Sequence, residues 1–325
     1  MPIIAPLPRP FCIDIAAHSS VGSGADARGE NQDNFLTIDT EGGACYLVGQ
    51  VACRRQVAGW PRGHARVAVL DGMGGHGHGR EAAEAVVAGL LSLPACTSLA
   101  ALEQALDALH ADLQLAFSAQ DGRRPGTTLT LVEIPPGQDA LLYHVGDSRL
   151  YAVRTDTIAP LTVDHVPATA FAMAGTLGEH DWWDQVHGEH RPQISQAFML
   201  GNAFANPALL ADALFPLTAA NLPPWLRLMA DRRVLALQPH VAYVLATDGF
   251  WSCPQAVKWM ARWPRLIAGR TDAHAMVEAL FAALENHPPP GLQPDNATAV
   301  ALRLVPLAPT DETALPERVN GENNA

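Results

Sequence analysis

Residues 128–154 place three apolar runs almost end to end. Thr128–Ile134 turns through "PPGQD" into Ala140–Val145, which turns through "GDS" into Arg149–Arg154. Connections this short hold no crossover helix, so the runs read as antiparallel hairpin arms. Further β-like runs fall at 35–38, 45–51, 66–70, 241–246 and 297–304, each bounded by Gly, Pro, Asp or Asn. Helical patterns occupy 80–93, 98–119 and 272–286. In the second, Leu99, Leu102, Leu106, Leu109, Leu113 and Phe117 recur at three- and four-residue steps and share one core-facing side. Strands gathered in hairpins, with helices grouped between them, predict an antiparallel α+β fold and not a doubly wound sheet.

Composition removes several function classes. The 325 residues are 48% hydrophobic, ample for a sizeable core. The longest apolar runs, such as Val67–Leu70 and Val241–Ala246, fall far short of the ~20 residues that cross a bilayer, and no basic-then-apolar leader opens the chain. These features predict a cytoplasmic protein. A formal charge of −12 disfavours nucleic acid and anionic membranes as partners. Cys12, Cys45, Cys53, Cys96 and Cys253 are odd in number and never spaced C-x-x-C, against both a disulfide framework and a thiolate zinc site. The proline-rich 1–10 and the polar 306–325 read as disordered tails around one domain, 11–305.

The stretch "VAVLDGMGGHGHGREAAEAVV" (67–87) contains Gly72-x-Gly74-x-x-Gly77, the spacing of a dinucleotide-binding turn. Asp71 stands directly before the first glycine, where a carboxylate would repel a pyrophosphate. The acid that a ribose hydroxyl needs about twenty residues further on is replaced by Thr97–Ala101, opening a helix. A P-loop fails as well, for lack of Gly-Lys-Ser/Thr. His76 and His78 invite a zinc reading, but exposed histidines at a helix start account for them better.

Acids recur at strand ends instead. Val67–Leu70 leads to Asp71-Gly72, and Val241–Thr247 leads to Asp248-Gly249; Asp295 precedes the run 297–304 and Asp33 precedes 35–38. Each alone reads as a turn residue. If the strands are neighbours, their carboxylates converge, and like charges at close range require a cation. Oxygen ligands without His or Cys suit Mg2+ or Mn2+. Two such ions lower the pKa of a bridging water and clamp phosphoryl oxygens, which is the chemistry of phosphate ester hydrolysis. Arg28, five residues before Asp33, offers the planar fork that fits phosphate.

In order and spacing, "ADARGENQDNF" (25–35), "VAVLDGMGGHGHGREAAEAV" (67–86), "GTTLTLV" (126–132), "YHVGDSRLYAVR" (143–154), "LTVDH" (161–165), "LATDGFW" (245–251) and "DNATAV" (295–300) resemble the type 2C metal-dependent serine/threonine protein phosphatases, above all the bacterial ones. The resemblance implies a two-sheet antiparallel β-sandwich flanked by helices on both sides, with two Mn2+ or Mg2+ ions at one end. By the same resemblance Asp71 bridges the ions, Gly72 offers its carbonyl to one, and Asp248 and Asp295 bind the other. Asp33 hydrogen-bonds metal-bound water, Arg28 clamps phosphate, and Asp147 holds a weaker third ion; a hairpin aspartate paired with Arg149 is the plainer reading of Asp147. The implied reaction is attack of a metal-bridging hydroxide on phosphoserine or phosphothreonine, with no covalent phosphoenzyme. The implied partners are a phosphorylated protein substrate and an opposing Ser/Thr kinase system.

The chain departs from the family pattern at several points. Gln32 replaces a common glutamate, so it can orient a water but adds no charge. Met73 stands where some eukaryotic members carry a histidine, leaving protonation of the leaving oxygen to metal-bound water or another group. The flap after "LTVDH" (166–190), an insertion at 202–233, and a longer loop at 49–63 are all altered, either as docking surfaces or as lineage-specific packing. The alternative function is a catalytically silent phosphatase fold that binds a phosphoprotein or kinase.

Overall fold

Along Ala65–Leu70, Val67 and Val69 enter one apolar layer while Ala68 and Leu70 enter another, the two-residue period of a strand buried on both faces. The same alternation splits Leu150 and Ala152 from Tyr151 and Val153, and Val300 and Leu302 from Ala299 and Ala301. The chain therefore has to be stacked in layers, because these strands have no solvent face. The computed structural model describes residues 11–22, 28–74, 78–118, 125–188, 193–199, 201–202 and 213–306.

The first strands are β1 (Phe11–Ser20), β2 (Asn34–Ile38), β3 (Gly43–Val48), β4 (Val51–Gln56), β5 (Ala65–Leu70), β6 (Gly72–Met73), β7 (Gly126–Thr127) and β8 (Leu129–Ile134). They are followed by β9 (Ala140–Val145), β10 (Arg149–Val153), β11 (Ile158–Pro160), β12 (Gln196–Ala197), β13 (Gly201–Asn202), β14 (Arg232–Leu235), β15 (Ala242–Ala246) and β16 (Ala297–Pro306). The α-helices are α1 (His78–Ser92), α2 (Leu99–Ser118), α3 (Pro167–Met173), α4 (Glu179–Trp183), α5 (Ala256–Met260), α6 (Trp263–Ile267) and α7 (Ala273–Asn286).

A seven-stranded sheet runs β14-β9-β8-β5-β2-β3-β4 and a five-stranded sheet β1-β16-β15-β10-β11, all pairs antiparallel. Phe35, Val67, Val69, Leu150, Leu245 and Val300 fill the layer between them. Outside the first sheet, Val86, Leu90, Leu102 and Leu106 cover it with α1 and α2; outside the second, Trp259, Trp263, Val277 and Leu280 do so with α5, α6 and α7. The stripe read from Leu99 to Phe117 faces that first layer, as its spacing requires. The α+β sandwich with helices on both sides is thus the fold.

The structure corrects several details. The "GDS" turn does not close a hairpin: β9 and β10 belong to different sheets, and residues 146–148 carry the chain across the sandwich. A short link fits either course, and β9 finds β8 and β14 as partners while β10 finds β11 and β15. The run 45–51 is two strands, turned at Gly49 and Gln50, both with positive φ. Of the expansion at 49–63, Val51–Gln56 is the edge strand β4, and residues 57–63 form the loop that leads to β5. Within 166–190, the described part folds into α3, α4 and a π-helical turn over Asp184–Gly188. Of the insertion 202–233, the described residues show a single 3₁₀ turn, Arg227–Met229, ahead of β14. Trp182 and Val186 of the flap pack with Leu217, Leu222 and Leu226 of the insertion into one small cluster.

β1, β11 and β14 had no signal of their own in the sequence. Pro306 closes β16 instead of opening a tail; residues 1–10 and 307–325, and His76, lie outside the described residues. The five thiols are free. No helix among the described residues is long and apolar enough to cross a membrane.

A buried ion cluster locks α1 to the sheet. Glu133 accepts from Arg66 Nε (2.6 Å), Arg66 Nη2 (2.9 Å) and Cys96 N (2.9 Å), and His64 Nε2 lies 2.7 Å away. Arg66 also donates to the carbonyls of Leu90 (2.5 Å) and Pro94 (2.8 Å), satisfying the end of α1. Burial pushes the Glu133 carboxyl up, but His64 and Arg66 outweigh it and hold the group below its ordinary value. Replacing Arg66 by Met should strand that buried carboxylate and cost about 3–5 kcal/mol, measured as a lower urea midpoint; an unchanged midpoint would refute the assignment.

Candidate active site

Antiparallel pairing sets Asn34 opposite Leu70 and Ala246 opposite Ala299. The start of β2 therefore adjoins the end of β5, and the end of β15 adjoins the start of β16. Asp33, Asp71, Asp248 and Asp295 all emerge at one end of the sandwich as a result. The crossing from β9 to β10 delivers Asp147 to the same end, since Val145 pairs with Leu129 and Arg149 with Ala246. Arg28, Gln32, Asp71, Gly72, Asp147, Asp248 and Asp295 line one cleft of about 810 Å³, together with Glu30, Met73 and Arg80. Every residue expected to hold metal or phosphate is brought to this mouth except Asp33, which is buried and does not line it.

Hydroxyl and amide groups invisible to motif reasoning hold the acids in place. The Asp71 N–H donates to Thr128 Oγ1 (2.9 Å), which in turn meets Ser148 Oγ at 2.8 Å. Thr247 Oγ1 donates to Asp33 Oδ2 (2.7 Å) and accepts from the Thr298 N–H (2.9 Å). Ser252 Oγ donates to Asp248 Oδ2 (3.2 Å) from one turn further along. Asn296 ties the loop of Arg28 to β16: its Oδ1 accepts from Gln32 N (2.8 Å) and its Nδ2 donates to Glu30 O (3.0 Å). Gln32 Nε2 donates to Glu30 Oε1 (2.8 Å) and Gly74 O (3.2 Å), so only its carbonyl oxygen is left to orient a water. Of these, Gln32, Ser148, Thr247 and Asn296 adjoin an aspartate in the sequence, while Thr128, Ser252 and Thr298 carry no local signal.

Both Asp-Gly pairs have the same steric origin. A side chain at Gly72 would collide with the carbonyl oxygens of Gln32 and Gly79, and one at Gly249 with that of Asn296. The chain after each aspartate is threaded between neighbouring backbones, and only glycine passes.

The electrostatics are those of crowded carboxylates. Burial, with Asp33, Asp248, Asp147 and Asp295 around it, raises Asp71 well above the ordinary carboxyl value. Burial pushes Asp33 up to about 8 despite hydrogen bonds from Thr247 and Thr298. Asp295 is raised by burial and by Asp248, against the pull of Arg28. Among the described residues no three His, Cys, Asp or Glu side chains close around a single point. Asp295 Oδ2 instead meets Arg28 Nη2 at 3.1 Å. That pair is solvent-exposed and contributes only about 0–1 kcal/mol, so it yields readily to a stronger partner. An all-oxygen donor set under mutual repulsion fits hard divalent cations that keep several waters. His78, the other half of the zinc reading, instead begins α1 and pairs with Glu81 at 3.5 Å.

The sequence profile described as protein phosphatase 2C matches residues 51–287, more than half of the chain. The chain belongs to the protein phosphatase 2C family. The match stops short of Arg28, Asp33 and Asp295, so those residues rest on the geometry of the cleft. The serine/threonine protein phosphatase PstP of Mycobacterium tuberculosis is 36% identical over 107 residues, which is 30% of this chain and only 20% of that protein. The catalytic domain of PstP in complex with two manganese ions superposes with a TM-score of 0.57 at 20% identity, covering 91% of this chain and 100% of that one. The S. agalactiae serine/threonine phosphatase gives 0.59 at 20% identity over 90% and 99% of the two chains. At such identities the likeness shows the fold.

The threading at Gly72 generates a test. Gly72→Ala should displace the Asp71 backbone and weaken Mn2+ binding in calorimetric titration by about tenfold or more, with the circular dichroism spectrum preserved. Unchanged Mn2+ affinity would remove Gly72 from the site.

Proposed function

We propose that this chain is a metal-dependent phosphoprotein phosphatase that hydrolyses phosphoserine and phosphothreonine. The observation that carries the reading is the convergence of Asp71, Asp147, Asp248, Asp295 and Arg28 on one cleft. Asp71 would be shared between two ions, with the Gly72 carbonyl beside one and Asp248 and Asp295 at the other; Asp147 would hold a weaker third. When bound, Mn2+ or Mg2+ supplies positive charge for phosphoryl oxygens and a water of lowered pKa.

The protein's own groups do the rest. Arg28 at the cleft rim, whose Nη2 rests on Asp295 and whose Nε rests on the Pro294 carbonyl, turns its guanidinium donors to the phosphoryl oxygens when substrate enters. Asp33, held by Thr247, orients water from behind the wall, and the Gln32 carbonyl orients water beside it. The nucleophile in this reading is a water of lowered pKa, and the phosphate is released without a phosphoenzyme. The partners that follow are a phosphorylated protein and the kinase that modifies it. The silent-binder reading is less favoured, because the cleft retains its full set of acids.

Phosphate release from p-nitrophenyl phosphate and from a phosphothreonine peptide should require Mn2+ or Mg2+ and stop with EDTA. Asp71→Asn and Asp248→Asn should each lower kcat by about a hundredfold or more. Metal-independent turnover, or full activity in either variant, would overturn the proposal. Arg28→Ala should cost about 1.5–3 kcal/mol in kcat/KM, recovered only partly by Lys.

A further inference from the structure

β4, the strand that lengthens the chain ahead of Asp71, has an open outer edge. It ends the seven-stranded sheet, paired only with β3. In a two-residue hairpin the residues flanking the turn, Val48 and Val51, form the hydrogen-bonded pair, so Ala52, Arg54 and Gln56 turn their N–H and C=O groups outward. Val48 is 49% and Val51 66% exposed, on the face that Tyr46 presents to the helical layer. Arg54 and Arg55 are exposed and form no ion pair with any described residue. Neighbours on a strand, they project to its two faces, so that in a chain of net charge −12 the open edge carries a positive charge on either side.

The hairpin is coupled to the cleft. Gln50 Oε1 accepts from the Asn31 N–H (2.7 Å), inside the loop of Arg28 and Asp33. The Gly49 N–H donates to Glu84 Oε1 (2.8 Å), Glu84 pairs with Arg80 (3.0 Å), and Arg80 lines the cleft beside Glu30. The turn of the hairpin thus stands at the cleft rim, and Val51, Arg54 and Arg55 follow it along the open edge.

We propose that β4 is a docking edge for the protein substrate. An extended segment of the phosphoprotein adds to β4 as a further strand, with an apolar side chain against Val51 and acidic side chains against Arg54 and Arg55, while its phosphorylated residue occupies the cleft. The charge pattern selects the occupant: an acidic strand is attracted, and a basic one is repelled. The role of the segment as substrate rests on the phosphatase reading; its binding does not. The plainer account of Arg54 and Arg55 is that charges on an edge strand keep copies of the chain apart.

Fluorescence anisotropy with two labelled, unphosphorylated extended peptides separates these accounts, one carrying Val and a Glu-Glu pair and the other Val and a Lys-Lys pair. The Glu peptide should bind the full chain, and the double variant Arg54→Glu, Arg55→Glu should weaken it about fivefold or more while strengthening the Lys peptide. Ala52→Pro, which removes an outward N–H that an edge strand can spare, should weaken both. Turnover of p-nitrophenyl phosphate should stay unchanged in all variants, since none touches the cleft. Equal affinity of the Glu peptide for wild type and double variant overturns the docking edge, as does a double variant altered only in self-association by sedimentation. Wild-type binding without phosphatase turnover overturns the catalytic reading alone.

Discussion

Phe35, Val67, Val69, Val132 and Leu142 of one sheet pack against Leu150, Tyr243, Leu245, Val300 and Leu302 of the other, and this dry layer locks the register of every strand that carries a cleft carboxylate. Each such side chain contributes about 1.5–3 kcal/mol when buried. Two carboxylates at contact distance oppose one another by about 4 kcal/mol at an effective dielectric near 20. The layer therefore outweighs the repulsion gathered at its end, and the acids stay together with raised proton affinity instead of driving the sheets apart. A slip of one residue in β5 or β15 would send its apolar set to the wrong face and withdraw its aspartate with it.

The flap and the insertion attach to this frame beside the Asp147 loop. Trp182 and Val186 of the flap and Leu217 and Leu226 of the insertion share a cluster, and Asp231 gathers its polar contacts: Oδ2 accepts from Leu217 N (2.8 Å) and lies 3.1 Å from His165 Nε2. The His165 ring meets the Gly146 N–H at 3.1 Å, one residue before Asp147. Buried beside it, His144 is kept far below the usual imidazole value by desolvation and by His165, and stays a neutral strut. Flap and insertion thus hold the Asp147 loop from behind, while β4 touches the Arg28 loop from the opposite side of the mouth.

What was legible in the chain follows from locality. The strand-Asp-Gly pairs, the Leu99–Phe117 stripe and the "PPGQD" hairpin are written in adjacent residues, and each reappears in the structure. The partners Thr128, Thr247, Ser252 and Asn296 were not legible, because a hydroxyl or amide acquires its role only from the carboxylate or amide that folding sets within 3 Å or so of it. The turn at Gly49 and Gln50 was lost for a related reason: Gln is an unusual residue at positive φ, and the hydrogen bond from Asn31 that holds its side chain comes from another part of the chain.

By itself the sequence determined the types of the long helices and of the strands between Asn34 and Val153, the antiparallel class and which acids stand at strand ends, since all of these depend on short-range periodicity and on the residue after each strand. Only the tertiary structure decided that the "GDS" link crosses between sheets, that Asp295 leans on Arg28, that Asp33 stands behind the cleft wall, and that 51–56 forms an open edge whose turn is joined to the site. The reason is physical: a short apolar run states that it must be buried on both faces, but which strand it pairs with is settled by competition among all the others for one shared core.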